Sequence, residues 1–232
     1  MLIGVLTATA PALSRTEANT IDSLIKGNPW AIVVLLTVLT LLPALLLSMT
    51  PFVRLLIVFH FLRQALGTQT APTNQTLVGL SLVLTFFLMQ PVGAVVMKRS
   101  IEPYAQGRIT VSQALERGAN PIRDFMLRYV REKEVALFVE MAKLPRPNRP
   151  ADLPMRVVAP AYVLSELKAG FQIGAMLFLP FLVVDLVVAS ITTSIGMLQL
   201  PPVVISTPLK LLLFVMVDGW SLLVGSLMKS FM

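Results

Sequence analysis

The sequence predicts an all-α, membrane-associated protein in which two pairs of kinked apolar helices flank a helical polar insert. Three observations predict it. Of 232 residues, 56% are hydrophobic and 13% charged, where soluble domains average about 45–50% and about 25%. Mean hydropathy is +0.79. The charges are also clustered: 21 of 31 lie between Lys98 and Lys168, and the other 161 positions share ten. This composition excludes a disordered chain and argues against an ordinary soluble enzyme. The absence of cysteine removes a disulfide scaffold, thiol catalysis, Cys-ligated zinc and iron–sulfur clusters.

Charge and turn signals divide the chain at 1–29, 30–97, 98–168 and 169–232. Within the first segment, Leu2–Ala10 is short and apolar and ends in small residues, but no basic residue precedes it. A cleaved signal peptide and an irregular N-terminus both fit. Trp30 to Met49 carries no charge and is long enough to cross a bilayer. Arg54 and Arg63 flank a second apolar stretch. The turn-forming run Gly67–Asn74 then leads into Gln75–Met97, a second candidate span closed by Lys98-Arg99. After the insert, Ala169–Ser190 is interrupted by Asp185, and Val203–Leu227 by Lys210 and Asp218, with a break at Gly196–Pro202.

The insert reads as helices. Ile109–Ser112 opens one through Arg117, and Asn120 caps the next, with Pro121 at its first position. Ile122, Phe125, Met126 and Tyr129 then make one apolar stripe. Arg131-Glu-Lys-Glu134 breaks the stripe, which resumes out of phase at Val135, Phe138 and Met141. Either the helix kinks there or its halves face different partners. Pro145-Arg-Pro-Asn-Arg-Pro150 is a stiff linker.

Several features are odd for helices that face lipid. Prolines 43, 51, 91, 180 and 208 fall in or beside the apolar runs, and each removes a backbone donor. Arg54, Asp185, Lys210 and Asp218 sit within them, at a cost of about 2.5–3.5 kcal/mol each at a bilayer centre. Gly170 and Gly174 form a Gly-x-x-x-Gly face that permits close helix approach and, with Phe125, Phe138 and Glu166, is expected at a subunit interface. These residues describe helices packed in a larger assembly. The insert carries 13 Lys and Arg but exceeds the roughly 60-residue limit of the positive-inside rule. The short loop with Arg54 and Arg63 is the better guide; it puts that loop inside and the insert outside.

No Gly-x-Ser-x-Gly, His-Glu-x-x-His or P-loop pattern occurs, and the basic residues of the insert alternate with acids, so nothing points to an enzyme, a cofactor, a metal or a nucleic acid. His60 reads as a packing residue with a backbone partner or as a proton relay. Asp185 reads as a salt-bridge partner of Lys210 or as a proton carrier. Phe125 and Phe138 fit subunit contacts or the insert's own small core. Glu166 fits a pair with a neighbouring subunit's basic residue; Lys168 points away from it on a helix.

Long strings carry a resemblance. Pro160-Ala-Tyr-Val-Leu-Ser-Glu-Leu-Lys-Ala-Gly-Phe-Gln-Ile-Gly174 and Pro180-Phe-Leu-Val-Val-Asp-Leu-Val-Val-Ala-Ser190 resemble the two signature motifs of the FliP/SctR family of type III export-gate proteins. Ala65–Thr68 with Asn74-Gln75, Leu84–Pro91, Phe125–Arg128 and Leu211–Trp220 extend the likeness to nearly the whole chain. Asp218–Ser226 looks flagellar rather than injectisome. The resemblance implies a core subunit of the flagellar type III export gate. Several copies, five expected, would wind with FliQ and FliR into an oligomeric helical cone around a conduit for unfolded flagellar subunits, beside FlhB and FlhA. It also implies a bacterial inner-membrane, basal-body location with the insert periplasmic. Before Pro201-Pro202 the family carries a methionine run that acts as a pore gasket. Here that run reads Met197, Leu198, Gln199, Leu200, so only Met197 matches and Gln199 adds a polar group. An injectisome subunit is the alternative, and a small proton-coupled transporter using Asp185 and Lys210 a more distant one.

Overall fold

The computed structural model describes residues 29–68, 70–145, 149, 152–197 and 201–231. The possible signal peptide, most of the 145–150 linker and Leu198–Leu200 lie outside the described residues. Every regular element among the described residues is helical.

Helix α1 (Pro29–Ser48) meets α2 (Phe52–Ala65) at a 74° bend. The bend has a local cause. Pro51 has no N–H to continue the helix. Thr50 ends α1 instead, its hydroxyl donating to the Leu47 carbonyl at 2.6 Å. Along α1 the large apolar side chains from Trp30 to Leu46 are exposed. By contrast, α2 is the core helix: Leu55, Val58, Phe59 and Leu62 are fully buried against Leu77, Phe214, Leu223 and Leu227. Arg54 and Arg63 therefore belong to a helix and not to a loop. Arg54 is buried, and Arg63 bonds Asn74. A buried, neutralised arginine says nothing about which side of a membrane a loop faces, so the charge argument for orientation loses its footing.

Helix α3 (Asn74–Val96) starts on Thr73, whose hydroxyl accepts from the Thr76 N–H. It runs into a five-residue π turn at Met97–Ile101 and the short α4 (Glu102–Ala105). The Ser100 hydroxyl donates to the Ala114 carbonyl at 2.6 Å, tying this turn to α5 (Val111–Tyr129). The α5 start is a reciprocal cap between Thr110 and Gln113. The structure joins into one helix what the sequence reading divides at Asn120. Pro121 lies inside α5 and is buried. Its missing hydrogen bond is offset by that burial and by the anchoring of the preceding turns on Ser100.

The chain is extended at Val130 and Arg131, and α6 (Glu132–Met141) follows with its apolar face turned onto the next long helix. That helix, α7 (Met155–Ser194), is 40 residues long, about 60 Å at 1.5 Å per residue. It passes without a break through the 168/169 boundary. Glu166 and Lys168 look like the edge of a polar segment, but each has a partner in the fold, so neither ends the helix. Helices α8 (Val203–Met216) and α9 (Gly219–Lys229) are bent by 65° at Asp218, which takes a left-handed conformation with φ 51°. Gly219 must be glycine there, because a Cβ would enter the Phe214 ring. By length and composition α3–α4 and α7 can each cross a membrane, and up to four spans result if each bent pair is one.

Helix α2 lies parallel to α7 in a fixed register. Arg54 faces Glu166, Ile57 faces Gly170 and Phe61 faces Gly174. A Cβ on Gly170 would meet Ile57 at 3.1 Å, and one on Gly174 would meet Phe61 at 2.5 Å. The small-residue face thus receives α2 of the same chain. Gly174→Val should destabilise the protein by about 1–3 kcal/mol through overpacking. Gly93→Ala, where a Cβ meets nothing within 4 Å, should be neutral or stabilising by up to about 1 kcal/mol. Thermal melts of the detergent-purified variants, followed on Trp30 and Trp220, check both.

Candidate functional site

Two charge pairs, one buried and one half-buried, and an aromatic seam hold the apolar helices, and together they form the candidate site. The first pair joins α2 to α7. Arg54 Nε donates to Glu166 Oε2 at 2.9 Å and Nη2 to Oε1 at 2.5 Å. Glu166 is fully buried. The third guanidinium nitrogen, Nη1, donates to the Ser230 hydroxyl at 3.0 Å. The guanidinium carbon sits 3.9 Å from the centre of the Phe231 ring, a cation–π geometry. The Tyr129 hydroxyl of α5 donates to the Phe231 carbonyl at 2.6 Å. One arginine thus gathers the first hairpin, the insert, the long helix and the segment after α9.

The insert is lashed to α7 along a second line. The Arg131 N–H donates to the Ser165 hydroxyl, and its side chain to Gln172 Oε1, both at 3.1 Å. Lys168 Nζ bonds Glu134 Oε1 at 2.6 Å, and Glu134 is buried. Phe125 and Phe138 are half-buried in the cluster of Met126, Val139, Val157 and Tyr162. Phe125 packs edge-on to Tyr162 and tilted on Tyr129, 6.1 and 5.0 Å between ring centres.

The second pair lies far along α7. Lys210 Nζ donates to Asp185 Oδ2 at 2.5 Å. Lys210 is buried, as is Ser206 one turn earlier. This pair closes the base of the segment that links α7 to α8. Where α7 stops, Gly196 takes φ 78° and the Met197 N–H donates to the Thr192 carbonyl at 3.0 Å, a Schellman end. Met197 is half-exposed beyond it. Leu198, Gln199 and Leu200 lie outside the described residues. At the far end of the core, rings of Phe59, Phe181, Phe214 and Trp220 join α2, α7, α8 and α9.

The structure brings Asp185 and Lys210 together. It turns Glu166, Gly170 and Gly174 inward onto α2, where the sequence reading had them facing a neighbouring subunit. The reason is Arg54: a buried cation needs its carboxylate within the same fold. His60 Nδ1 lies 2.8 Å from the Leu56 carbonyl, a backbone partner. The sequence reading missed Tyr129, Ser230 and Phe231 as partners, and Glu134 for Lys168. Arg54, the sole charge between Lys26 and Arg63, was the available signal for a buried partner, whereas Glu166 beside Lys168 offered none. No group of three residues able to hold a metal occurs among the described residues.

Removing one member of a buried pair strands the other. Arg54→Met alone or Glu166→Leu alone should cost about 3–5 kcal/mol, and the double variant should recover most of that loss. Thermal melts of the three proteins check it. If Glu166 served a neighbouring subunit, the double variant would be no better than either single one.

Comparison with known proteins places these features in a family. Residues 35–227 match the model of the FliP family. The flagellar biosynthetic protein FliP of Pectobacterium carotovorum is 54% identical over 88% of this chain and 81% of its own length. Its counterpart in Bacillus subtilis is 44% identical over 94% and 96%, and that of Aquifex aeolicus 42% over 93% and 88%. The shared stretch contains α2, the insert, α7 and both charge pairs, and the chain belongs to the FliP family of flagellar biosynthetic proteins.

Proposed function

We propose that this protein is a core subunit of the flagellar type III export gate, and that several copies, five expected, form with FliQ and FliR the conduit for unfolded flagellar subunits. FlhB and FlhA adjoin it, the assembly sits in the bacterial inner membrane at the basal body, and the insert faces the periplasm. Family membership over residues 35–227 is the observation that carries this reading. The packing supports it. Large apolar side chains along α1, the outer half of α7 and α8 stay exposed, more apolar surface than a lone soluble chain tolerates. Three of the four charges that would be costly in lipid, Arg54, Asp185 and Lys210, are already paired inside the chain. Exposed apolar faces on an internally braced unit suit a subunit that joins other helices. The chain acts as a structural part and performs no catalysis.

In this role the segment between Asp185 and Lys210 carries the pore-facing loop, with Met197, Leu198, Gln199 and Leu200 as its seal. Flexible, polarizable methionine closes irregular gaps well, and the polar amide of Gln199 loosens that closure. Replacing Leu198 and Gln199 together by Met should lower the passage of small ions through the resting gate. Unchanged leakage would remove the loop from that role. Asp185→Asn is the variant that separates a gate from a proton-coupled transporter, which could not function without that carboxylate.

The primary test is native mass spectrometry of the detergent-extracted protein, co-expressed with its genomic neighbours. The expected result is a homo-oligomer that retains several copies of a small two-helix protein and one larger membrane protein. A monomer or simple dimer with no partners would reject the gate reading.

A further inference from the structure

Three helix ends among the described residues share one closure and differ in one respect. After α2, Gly67 takes φ 74°; its N–H donates to the Gln64 carbonyl at 3.0 Å, and the Thr68 N–H to the Arg63 carbonyl at 3.3 Å. After α4, Gly107 takes φ 68°; its N–H donates to the Tyr104 carbonyl and the Arg108 N–H to that of Pro103, both at 2.9 Å. Gly196 closes α7 in the same way. The positive φ accounts for glycine at all three. At Gly107 and Gly196 a Cβ would meet nothing within 4 Å. At Gly67 it would lie 2.7 Å from Thr207 Oγ1 and 3.7 Å from Thr207 Cβ. The backbone of the α2–α3 turn is therefore pressed against a side chain of α8.

Neither side of this contact is free to retreat. Leu66, one residue before the glycine, is buried in the core with Phe214, Leu223 and Leu227. Arg63 bonds Asn74 across the turn, and the Thr68 hydroxyl donates to the Arg63 carbonyl. On α8, Thr207, Lys210 and Phe214 fall at i, i+3 and i+7 and share one face. Phe214 is in the core and Lys210 is paired with Asp185. A threonine in a helix has few rotamers to turn to. Of the three, Thr207 is the contact nearest the α7–α8 loop, about 6 Å from the start of α8 at Val203.

We propose that Gly67 is a positioning residue of the pore-facing loop: the α2–α3 turn is the stop against which the first turns of α8 rest, and with the Asp185–Lys210 pair it fixes where that loop closes. One anchor leaves a helix free to pivot about it. Two anchors on one face, a turn apart, remove that freedom. The salt bridge holds α8 to α7, and the turn limits how far the start of α8 leans toward α2. A side chain on residue 67 pushes on Thr207, tilts the start of α8 away and loosens the loop. The inference rests on the reading that the segment between Asp185 and Lys210 carries the seal.

The chain has no cysteine, so the contact can be read by pairing. The 3.7 Å between the two Cβ positions suits a disulfide. G67C/T207C, co-expressed with the neighbouring proteins and oxidised with diamide, should crosslink within one chain; no crosslink would overturn the proposal. The consequence is read as ion leak through the assembly reconstituted in vesicles. G67A should leak about tenfold more than the parent, ~1.4 kcal/mol in the closing equilibrium. G67A/T207A should return to the parental rate, because Thr207→Ala removes the oxygen that the new methyl strikes. G107A carries the same backbone strain without the neighbour and should leak as the parent does. Thr207→Leu crowds the contact from α8 without touching the φ of residue 67; it should leak as G67A does, and it carries the test if G67A does not assemble. Native mass shows which variants remain assembled. A parental leak in the assembled crowding variants, equal leak in G67A and G107A, or no recovery in G67A/T207A would each overturn the positioning role. If replacing Leu198 and Gln199 by Met changes the leak and crowding does not, the proposal fails and the pore-loop reading stands. If neither changes it, the reading fails and the proposal with it.

Discussion

The bidentate bond between Arg54 and Glu166 is the interaction on which the remaining architecture depends. Each residue sits in a helix that is otherwise apolar at that level, and neither charge survives alone in such surroundings. Their meeting forces α2 onto α7. The register that follows brings Ile57 to Gly170 and Phe61 to Gly174, so the glycines act because the charges have chosen the alignment. The two helices run parallel. A parallel pair needs a return connection, and α3 through α6 supply it. The insert is then less an appendage than the path by which the chain comes back to its starting level.

The breaks at Pro51 and near Gly196 were readable from the turn-forming residues themselves. Local chemistry decides those points, and local chemistry is what a sequence displays. Other points were not readable. Asn120-Pro121 has the chemistry of a helix start, yet α5 runs through it, because Ser100 anchors the preceding turn from another part of the chain. Lys168 and Glu166 look like a solvated boundary, yet they lie inside α7, because Glu134 and Arg54 neutralise them. In each case a residue distant in sequence reverses the local rule.

The candidate site divides in the same way. Asp185 and Lys210 could be matched because they are the charges facing each other across one predicted turn. Glu166 could not be matched to Arg54, since 112 residues separate them and several bases compete. Tyr129, Ser230 and Phe231 offered still less. Aromatic and hydroxyl groups at those positions pass for ordinary packing until the guanidinium they surround is located. Phe125 and Phe138 show the reverse: large aromatics on a polar-faced helix signal an interface, but the insert has its own core to fill, and each ring is partly used there.

The arrangement around Arg54 also imposes an order in time. The arginine leaves the ribosome 112 residues before its carboxylate and 176 before the serine that completes its coordination. At about 5–20 residues per second, it waits roughly 5–20 s for the first and roughly 10–35 s for the second. Throughout that interval α2 carries a cation without the partners it has in the fold. The register of α2 on α7 can be set only after α7 has been made. Translation speed between residues 54 and 166 becomes a parameter of folding, and synonymous codon changes in that stretch bear on yield without altering a single side chain.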